Sequence, residues 1–208
     1  MDALVVVRHL VVNTKIYFLK GAGYIKIVCT FYYLNTIIRI LKIVGENMNK
    51  FIKPQEKYFE SFISAISDSK NNKEDNELNY SVSNFETFME EVLKGWESEE
   101  YYWLVDGERF LGDVVLRKKP SVEQLVIGGN ISYFVSISER NKGYGKMLLE
   151  YGIKRAKELE LDKIIVTCYE DNKYSKRLIE GAGGVLVNSF FLKSMDKFLL
   201  RYLLQLSK

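Results

Sequence analysis

The chain has 208 residues, 47% of them hydrophobic, and a formal net charge of +3, which suits one globular domain with or without an appendage. The charge is uneven, because residues 1–47 carry six Lys/Arg against two Asp/Glu and the remainder carries 24 against 25. A near-neutral body gives no support for a nucleic-acid partner. The single histidine, His9, lies outside that body, which therefore cannot build a Ser-His-Asp site or a His-ligated metal site.

The two cysteines, Cys29 and Cys168, lie far apart in the sequence and have no CxxC spacing. This arrangement predicts neither a disulfide scaffold nor a zinc site. We expect Cys168 to be a buried strand residue, and we predict no metal.

Residues 1–47 are rich in Val, Ile, Leu and Tyr, and basic residues interrupt their apolar runs. The longest uncharged stretch in the second half, residues 27–38, is too short for a membrane span, which needs about 20 residues. A signal peptide is also a poor fit because no small-residue cleavage site is evident. We predict an extension outside the fold, such as upstream sequence translated from a misplaced start, and a domain over residues 48–208. A segment that lies on a membrane surface is the alternative.

From Met48 onward the pattern becomes regular. Residues 51–53 predict a first strand, and Pro54 is suited to the first turn of a helix. A polar, turn-rich loop follows over residues 67–79. Ser83-Asn84-Phe85-Glu86 has the pattern of a capping box and predicts a second helix, with Trp96 in the core or on a cleft wall. The β-rich runs 101–105 and 110–116 are joined through Asp106-Gly107, a strong hairpin signal.

The central unit of the chain is a strand over 131–136, a basic glycine-bearing loop over 139–146 and a long helix from Met147. In the strand, Ile131, Tyr133 and Val135 point to one face and the intervening residues to the other. The helix has one apolar face, formed by Leu148, Leu149, Gly152, Ile153, Ala156 and Leu159.

The loop before this helix has the chemistry of an anion site. Gly143 and Gly145 permit a tight turn with exposed N–H groups, and a helix N-terminus attracts negative charge. Arg140, Lys142 and Lys146 add positive charge, so we expect a phosphate-bearing ligand. A Walker loop is excluded because Met147 follows Gly145-Lys146, and a dinucleotide fingerprint is excluded because it would need a third glycine where Leu148 stands.

After the helix, the apolar run 163–168 predicts a buried strand parallel to the central one. A segment from Asn172 to Gly184 then predicts a helix that Asn172 caps, where the small Ser175 lets a ligand lie close to the first turn. Residues 185–191 and 198–206 predict two closing strands.

Two patterns in this region together resemble the GNAT superfamily of acyl-CoA-dependent N-acetyltransferases. The loop reads Arg-x-x-Gly-x-Gly from Arg140 to Gly145. The later segment, from Asn172 to Gly183, is similar to the family pattern Asn-x-x-Ala/Ser-x-x-Leu-Tyr-Glu-x-x-Gly, with Ser175, Leu178 and Glu180 at the matching positions. The resemblance covers about residues 50–208. It implies an α/β (α+β) fold with a mixed, mostly antiparallel twisted sheet, a central strand–loop–helix CoA-binding unit and flanking helices.

The resemblance also implies an activity: a primary amine of a small molecule or peptide attacks the acetyl group of acetyl-CoA directly, in the cytoplasm, without a metal. A homodimer is compatible with it. Backbone N–H groups of the central strand, around residues 134–137, would stabilise the developing charge where this strand splays from its neighbour. The implied acetyl-CoA-binding residues are Val135, Ser136, Ile137, Arg140, Asn141, Lys142, Gly143, Tyr144, Gly145, Lys146, Asn172 and Ser175.

One position departs from the family pattern. Many members place a tyrosine between the leucine and the glutamate of the second motif to protonate the departing thiolate, and here that position is Ile179. Tyr174 and Tyr133 are the candidate replacements, and solvent is the alternative. Restoring the tyrosine by Ile179→Tyr is expected to speed the reaction.

Two further questions follow from the same residues. Glu139 and Glu170 are candidate bases for the amine. The alternatives to an enzyme are a non-catalytic acyl-CoA-binding module, suggested by Ile179, and a membrane-surface protein that functions through residues 1–47.

Overall fold

The computed structural model describes residues 49–71, 84–95 and 98–206. The predicted extension over 1–47, with His9 and Cys29, lies outside these residues, as do Trp96 and most of the predicted polar loop. A division of the chain into two units falls between Met48 and Asn49, and all of the described residues belong to the second unit.

The described residues form seven strands, five α-helices and two short 3-10 turns. In chain order these are β1 Lys50–Ile52, a turn at Glu56–Tyr58, α1 Phe59–Asn71, α2 Phe85–Gly95, β2 Glu99–Asp106, β3 Arg109–Arg117, α3 Val122–Ile127, β4 Ile131–Val135, a turn at Ile137–Glu139, α4 Tyr144–Glu158, β5 Lys163–Tyr169, α5 Lys173–Gly181, β6 Val185–Leu192 and β7 Lys197–Gln205.

The seven strands make one sheet in the order β1-β2-β3-β4-β5-β7-β6. All neighbours are antiparallel except β4 and β5, which run parallel and are joined through α4. The predicted hairpin is β2–β3, and its turn includes Gly107 at a φ of 59°. The prediction of a mixed, mostly antiparallel sheet around a strand–loop–helix unit is confirmed.

Hydrophobic cores lie on both faces of the sheet. One core joins α4 and α5 to the sheet and includes Leu148, Leu149, Ala156 and Ile179. The other joins α1 and α2 to an aromatic group on the opposite face, formed by Phe62, Phe88, Tyr101, Trp103, Phe110 and Phe134. The predicted alternation along β4 is confirmed, since Ile131, Tyr133 and Val135 face the first core and Phe134 the second.

Some element boundaries differ from the prediction. Pro54 precedes the first helical turn, and α1 continues to Asn71, through residues predicted as loop. Ser69 in that stretch is fully buried, so packing extends the helix beyond its apolar pattern. The cap of α2 is Asn84, whose Oδ1 accepts the Thr87 N–H at 2.9 Å.

The short helix α3 was missed by the prediction. A capping box formed by Ser121 and Gln124 begins it. The Ser-x-x-Gln spacing was therefore the available signal in the sequence.

Candidate functional site

The site begins where β4 separates from β5. Strand β4 pairs with β3 along its whole length but with β5 only at Ile131, opposite Val166. Asn130 fixes this end: its N–H donates to the Ile165 carbonyl at 2.6 Å, and its Oδ1 accepts the Ile165 N–H at 2.8 Å. Beyond Ile131 a gap opens between the two parallel strands, as the family resemblance implied.

The main chain of β4 presents an N–H group toward this gap. The Ser136 N–H donates to the Leu111 carbonyl of β3 at 2.9 Å. Since successive N–H groups of a strand alternate between its two sides, the Val135 N–H points away from β3, to the β5 side. This is the side on which the pairing with β5 has ended.

The loop after β4 leads into α4 through two unusual backbone conformations. Asn141 has a φ of 62° and Gly143 a φ of 89°. Gly143 is the N-cap of α4, and no side chain forms a capping hydrogen bond at this end. The first hydrogen bond of the helix runs from the Met147 N–H to the Gly143 carbonyl at 3.2 Å. The N–H groups of Tyr144, Gly145 and Lys146 therefore have no acceptor within the helix. Free amides at a helix N-terminus can bind an anion, so this loop stays the predicted phosphate site.

Glu139 ties this loop to the start of β3. Its side chain is buried and lies 3.2 Å from Arg109 and 3.0 Å from Lys142. A buried carboxylate with two cationic partners is held in place, so the geometry does not favour Glu139 as the base that accepts a proton from an amine. Glu170, the other candidate, is exposed beyond the end of β5. Sequence reasoning missed Arg109, which lies 30 positions from Glu139.

Helix α5 brings the second motif to the same place. Asn172 caps it, since its Oδ1 accepts the Ser175 N–H at 3.0 Å. The Ser175 Oγ lies 2.9 Å from the Tyr133 hydroxyl of β4. The structure therefore joins Asn172, Ser175 and Tyr133. Tyr174 is instead 70% exposed, with its side chain largely in solvent.

Gly145 links α4, α5 and β4. A Cβ at this position would lie 3.2 Å from Leu178 Cδ1, 3.8 Å from Val135 Cγ2 and 4.0 Å from Tyr133 Cε2. The first turn of α4 thus packs closely on the side chains of both neighbouring elements. The loop predicted as the phosphate site and the predicted Tyr133 belong to one continuous region.

Burial changes the acid–base chemistry of two groups near the gap. Desolvation raises the pKa of Tyr133 to about 12, although the hydrogen bond to Ser175 acts in the opposite direction. Burial also raises the pKa of the Cys168 thiol to about 11. Cys168 is buried in β5, as predicted. Both groups stay protonated at neutral pH.

Ile179 is fully buried against the core beneath α5. A Cβ on Gly184 would collide with the Ile179 side chain and carbonyl, so Ile179 packs closely against the backbone at Gly184. The expectation that a tyrosine here would speed the reaction is not supported by this packing.

Over the described ranges, no group of three or more His, Cys, Asp or Glu side chains could hold a metal ion. Within the same part of the chain, no helix is both long and apolar enough to cross a membrane.

The comparisons with known proteins agree with this geometry. Residues 51–185 match the family described as the acetyltransferase (GNAT) domain. The match spans more than half of the chain, so the chain belongs to the GNAT acetyltransferase family, and the resemblance read from the sequence is confirmed. No curated protein matches the sequence significantly.

Solved structures of acetyltransferases share the fold. An N-acetyltransferase from Staphylococcus aureus has a TM-score of 0.58 at 15% identity, covering 77% of this chain and 99% of that one. A spermidine N-acetyltransferase mutant from Vibrio cholerae has a TM-score of 0.56 at 16% identity, with coverages of 76% and 94%. A Salmonella typhimurium putative acetyltransferase, with its cofactor acetyl-CoA, has a TM-score of 0.56 at 15% identity, with coverages of 78% and 96%.

Proposed function

We propose that this protein is an acetyl-CoA-dependent N-acetyltransferase that transfers an acetyl group to a primary amine of a small molecule or peptide by direct attack. The observation that carries the proposal is the gap beside β4, where the Val135 N–H points toward the β5 side next to the uncapped N-terminus of α4. Family membership supports acetyl transfer. The Salmonella relative supports acetyl-CoA, and the Vibrio spermidine N-acetyltransferase supports an amine acceptor.

The residues around the gap fit acetyl-CoA. The uncapped amides of Tyr144, Gly145 and Lys146 would bind its pyrophosphate, with positive charge from Arg140 and the exposed Lys142 nearby. The main chain of residues 135–137 would bind the arm that bears the thioester, and the first turn of α5 would border it at Ser175. When bound, acetyl-CoA supplies an activated acetyl group and a thiolate leaving group.

The Val135 N–H would stabilise the negative charge that develops on the acetyl carbonyl oxygen when the amine attacks. A fixed amide in such a position lowers a barrier by roughly 3–4 kcal/mol. Holding the acetyl group beside the amine contributes further, since correct positioning lowers a barrier by up to about 7–11 kcal/mol.

Tyr133 would donate a hydrogen bond to the departing thiolate. Its raised pKa of about 12 keeps the phenol protonated. Because a free thiol has a pKa of about 8.5, complete proton transfer from this phenol to the thiolate is uphill, and the proton itself would come from solvent. Tyr133 is favoured over Tyr174, whose side chain is mostly exposed.

The test is thiol release from acetyl-CoA in the presence of a panel of primary amines that includes polyamines and peptides. Tyr133→Phe is expected to lower turnover roughly 10- to 100-fold, the value of a hydrogen bond to a charged group, with unchanged acetyl-CoA affinity by calorimetry. Tyr174→Phe is the matched control and should turn over like the wild type. Failure of the wild type to release thiol with every amine would refute the proposed activity.

A second candidate function is a non-catalytic acyl-CoA-binding module. Ile179 favours it, because an apolar and fully buried side chain stands where many family members carry tyrosine. Tight acetyl-CoA binding with no thiol release would support this alternative.

The proposed partner besides the amine is a second copy of the chain, paired along β6. This strand is at the edge of the sheet formed by the described residues, and its eight residues carry no charge. Val185, Leu186 and Val187 are 66%, 49% and 49% exposed, although edges are usually protected by charged residues. An uncharged strand can pair with its own copy without like-charge contacts.

Sedimentation analysis should show a dimer, and Leu186→Lys should convert this dimer to a monomer. A monomeric wild type would contradict the proposed pairing.

A further inference from the structure

A buried carboxylate joins the loop before α4 to the sheet. The side chain of Glu139 is 9% exposed, and each of its two oxygens binds a different part of the chain. Oε1 accepts a hydrogen bond from the Arg109 guanidinium at 3.2 Å, and Oε2 accepts one from the Lys142 ammonium at 3.0 Å. A buried carboxylate costs stability unless it is paired, so both contacts help to keep Glu139 in this place.

The two cations belong to different parts of the fold. Arg109 is the first residue of β3 and also donates to the Asp106 carboxylate at 2.8 Å. Asp106 and Arg109 stand opposite each other in the register of β2 and β3, so this guanidinium is tied to the sheet. Lys142 belongs to the loop and precedes Gly143, the N-cap of α4. Glu139 therefore connects the loop to a part of the sheet that strand pairing holds in place.

The contact between Glu139 and Lys142 closes a turn of the loop. It spans Arg140 and Asn141, and Asn141 has a φ of 62°, a left-handed conformation that residues other than glycine adopt less readily. The amides of residues 144–146 follow this turn directly. A side-chain bond across the turn stabilises its conformation and thereby fixes the direction of these N–H groups.

The charges of this cluster cancel. Arg109 and Lys142 carry two positive charges, and Asp106 and Glu139 carry two negative charges. A cluster without net charge adds little to the attraction of a phosphate group from a distance. What the cluster can contribute is therefore the geometry of the loop.

We propose that Glu139 is a positioning residue, anchored by Arg109, that holds the amides of residues 144–146 in the direction needed to bind the pyrophosphate of acetyl-CoA. This inference rests on the proposed binding of acetyl-CoA. Glu139 acts through the loop and does not contact the phosphate, which its negative charge would repel.

Calorimetry with acetyl-CoA tests this role, because positioning and charge predict opposite results for Glu139→Gln. The substitution removes a negative charge near the phosphate site, so an effect of charge alone would strengthen binding. It also leaves one oxygen for two cationic donors, so loss of the anchor should weaken binding about 10-fold, the effect of losing a hydrogen bond to a charged group. Unchanged or tighter binding would overturn the positioning role. The value of kcat at saturating acetyl-CoA should change little.

Asp106→Asn is the matched control. It makes the same change from carboxylate to amide beside the same guanidinium. Asp106 binds Arg109 through one oxygen, and the amide retains an oxygen for this bond. Acetyl-CoA affinity should therefore equal that of the wild type or be slightly higher. A loss as large as in Glu139→Gln would contradict the assignment of the anchor to Glu139.

Arg109→Gln removes the anchor from the side of the sheet and should also weaken binding. Combined with Glu139→Gln, it should cause little further loss, because the two residues act through one contact. Charge alone would instead predict opposite effects of the two substitutions. Fully additive losses would show that the residues act separately and would refute the anchor.

Amide hydrogen exchange reports on the loop without the ligand. The Met147 N–H, which donates to the Gly143 carbonyl, should exchange faster in Glu139→Gln and Arg109→Gln than in the wild type and Asp106→Asn. Equal protection in all four proteins would refute the anchor, and if Glu139→Gln does not fold, the exchange of Arg109→Gln decides the question.

A wild type that binds no acetyl-CoA would refute the proposed function and the positioning role that rests on it. The exchange data would still decide whether Glu139 holds the loop, so the two failures can be told apart.

Discussion

Gly143 adopts a φ of 89°, a backbone region that L side chains rarely enter, and a Cβ there would meet nothing within 4 Å. A valine at this position therefore causes backbone strain rather than a collision, roughly 1–2 kcal/mol. The strained loop should move the amides of residues 144–146 away from their common direction. We expect Gly143→Val to weaken or abolish acetyl-CoA binding in calorimetry while the melting temperature falls only slightly.

Gly181→Val supplies the control for this prediction. Gly181 also has open space around its Cβ position, but it lies at the end of α5 with no positive φ. Its substitution should leave acetyl-CoA affinity unchanged. Equal affinities for the wild type and Gly143→Val would contradict the assignment of the loop.

The raised pKa of the buried Asp113 predicts that the stability of the protein depends on pH. Burial raises its pKa from 3.8 to about 7, against the hydrogen bond from the Tyr101 hydroxyl. Between these two values the folded protein retains a proton that the unfolded chain has lost. The protonated Asp113 therefore adds to the free energy of unfolding. This addition is complete below about pH 4 and is lost as the pH rises through about 7. It amounts to roughly 1.4 kcal/mol for each pH unit between the two pKa values.

Urea unfolding between pH 4 and 8 measures this slope. Asp113→Asn, which cannot titrate, should flatten it over the same range. An unchanged slope would show that Asp113 is not the group responsible.

At the scale of the elements, α5 turns Ile179 into the core and Ser175 toward β4. Ile179→Tyr adds volume where a Cβ on Gly184 would already collide with the Ile179 side chain. Overpacking of this kind costs about 1–3 kcal/mol. We expect a lower melting temperature and no faster turnover.

Arg177→Tyr introduces the same side chain on the exposed face of the same helix and should leave the melting temperature nearly unchanged. A stable and faster Ile179→Tyr protein would instead show that α5 can accommodate a donor at the family position.

At the scale of the whole molecule, the domain boundary at Met48 stays a prediction. The first strand of the sheet begins at Lys50, and the family match begins at residue 51. A protein that starts at Met48 should unfold cooperatively and bind acetyl-CoA with the affinity of the full chain. Thermal melts and calorimetry on the two proteins provide the comparison. Aggregation of the shorter protein, or a much lower melting temperature, would show that residues 1–47 support the fold.

The sequence by itself determined the local structure around the site. The strand, loop and helix from Ile131 to Glu158 follow from a change of hydrophobic period, two glycines and an apolar helix face. The cap of α5 depends on Asn172 and Ser175, which are three positions apart in the chain. These features depend on interactions between near neighbours in the chain, so pattern and turn chemistry were sufficient to predict them.

Only the tertiary structure decided which side chains meet. Tyr133 and Ser175 are 42 positions apart, and Tyr101 and Asp113 are joined across the β2–β3 pair. An aspartate within the apolar run of β3 was a visible signal, but its partners depend on strand register. The exposure of Tyr174 and the burial of Ile179 depend on how α5 is rotated against the sheet. Register and rotation are set by packing across the whole core, which no local pattern specifies.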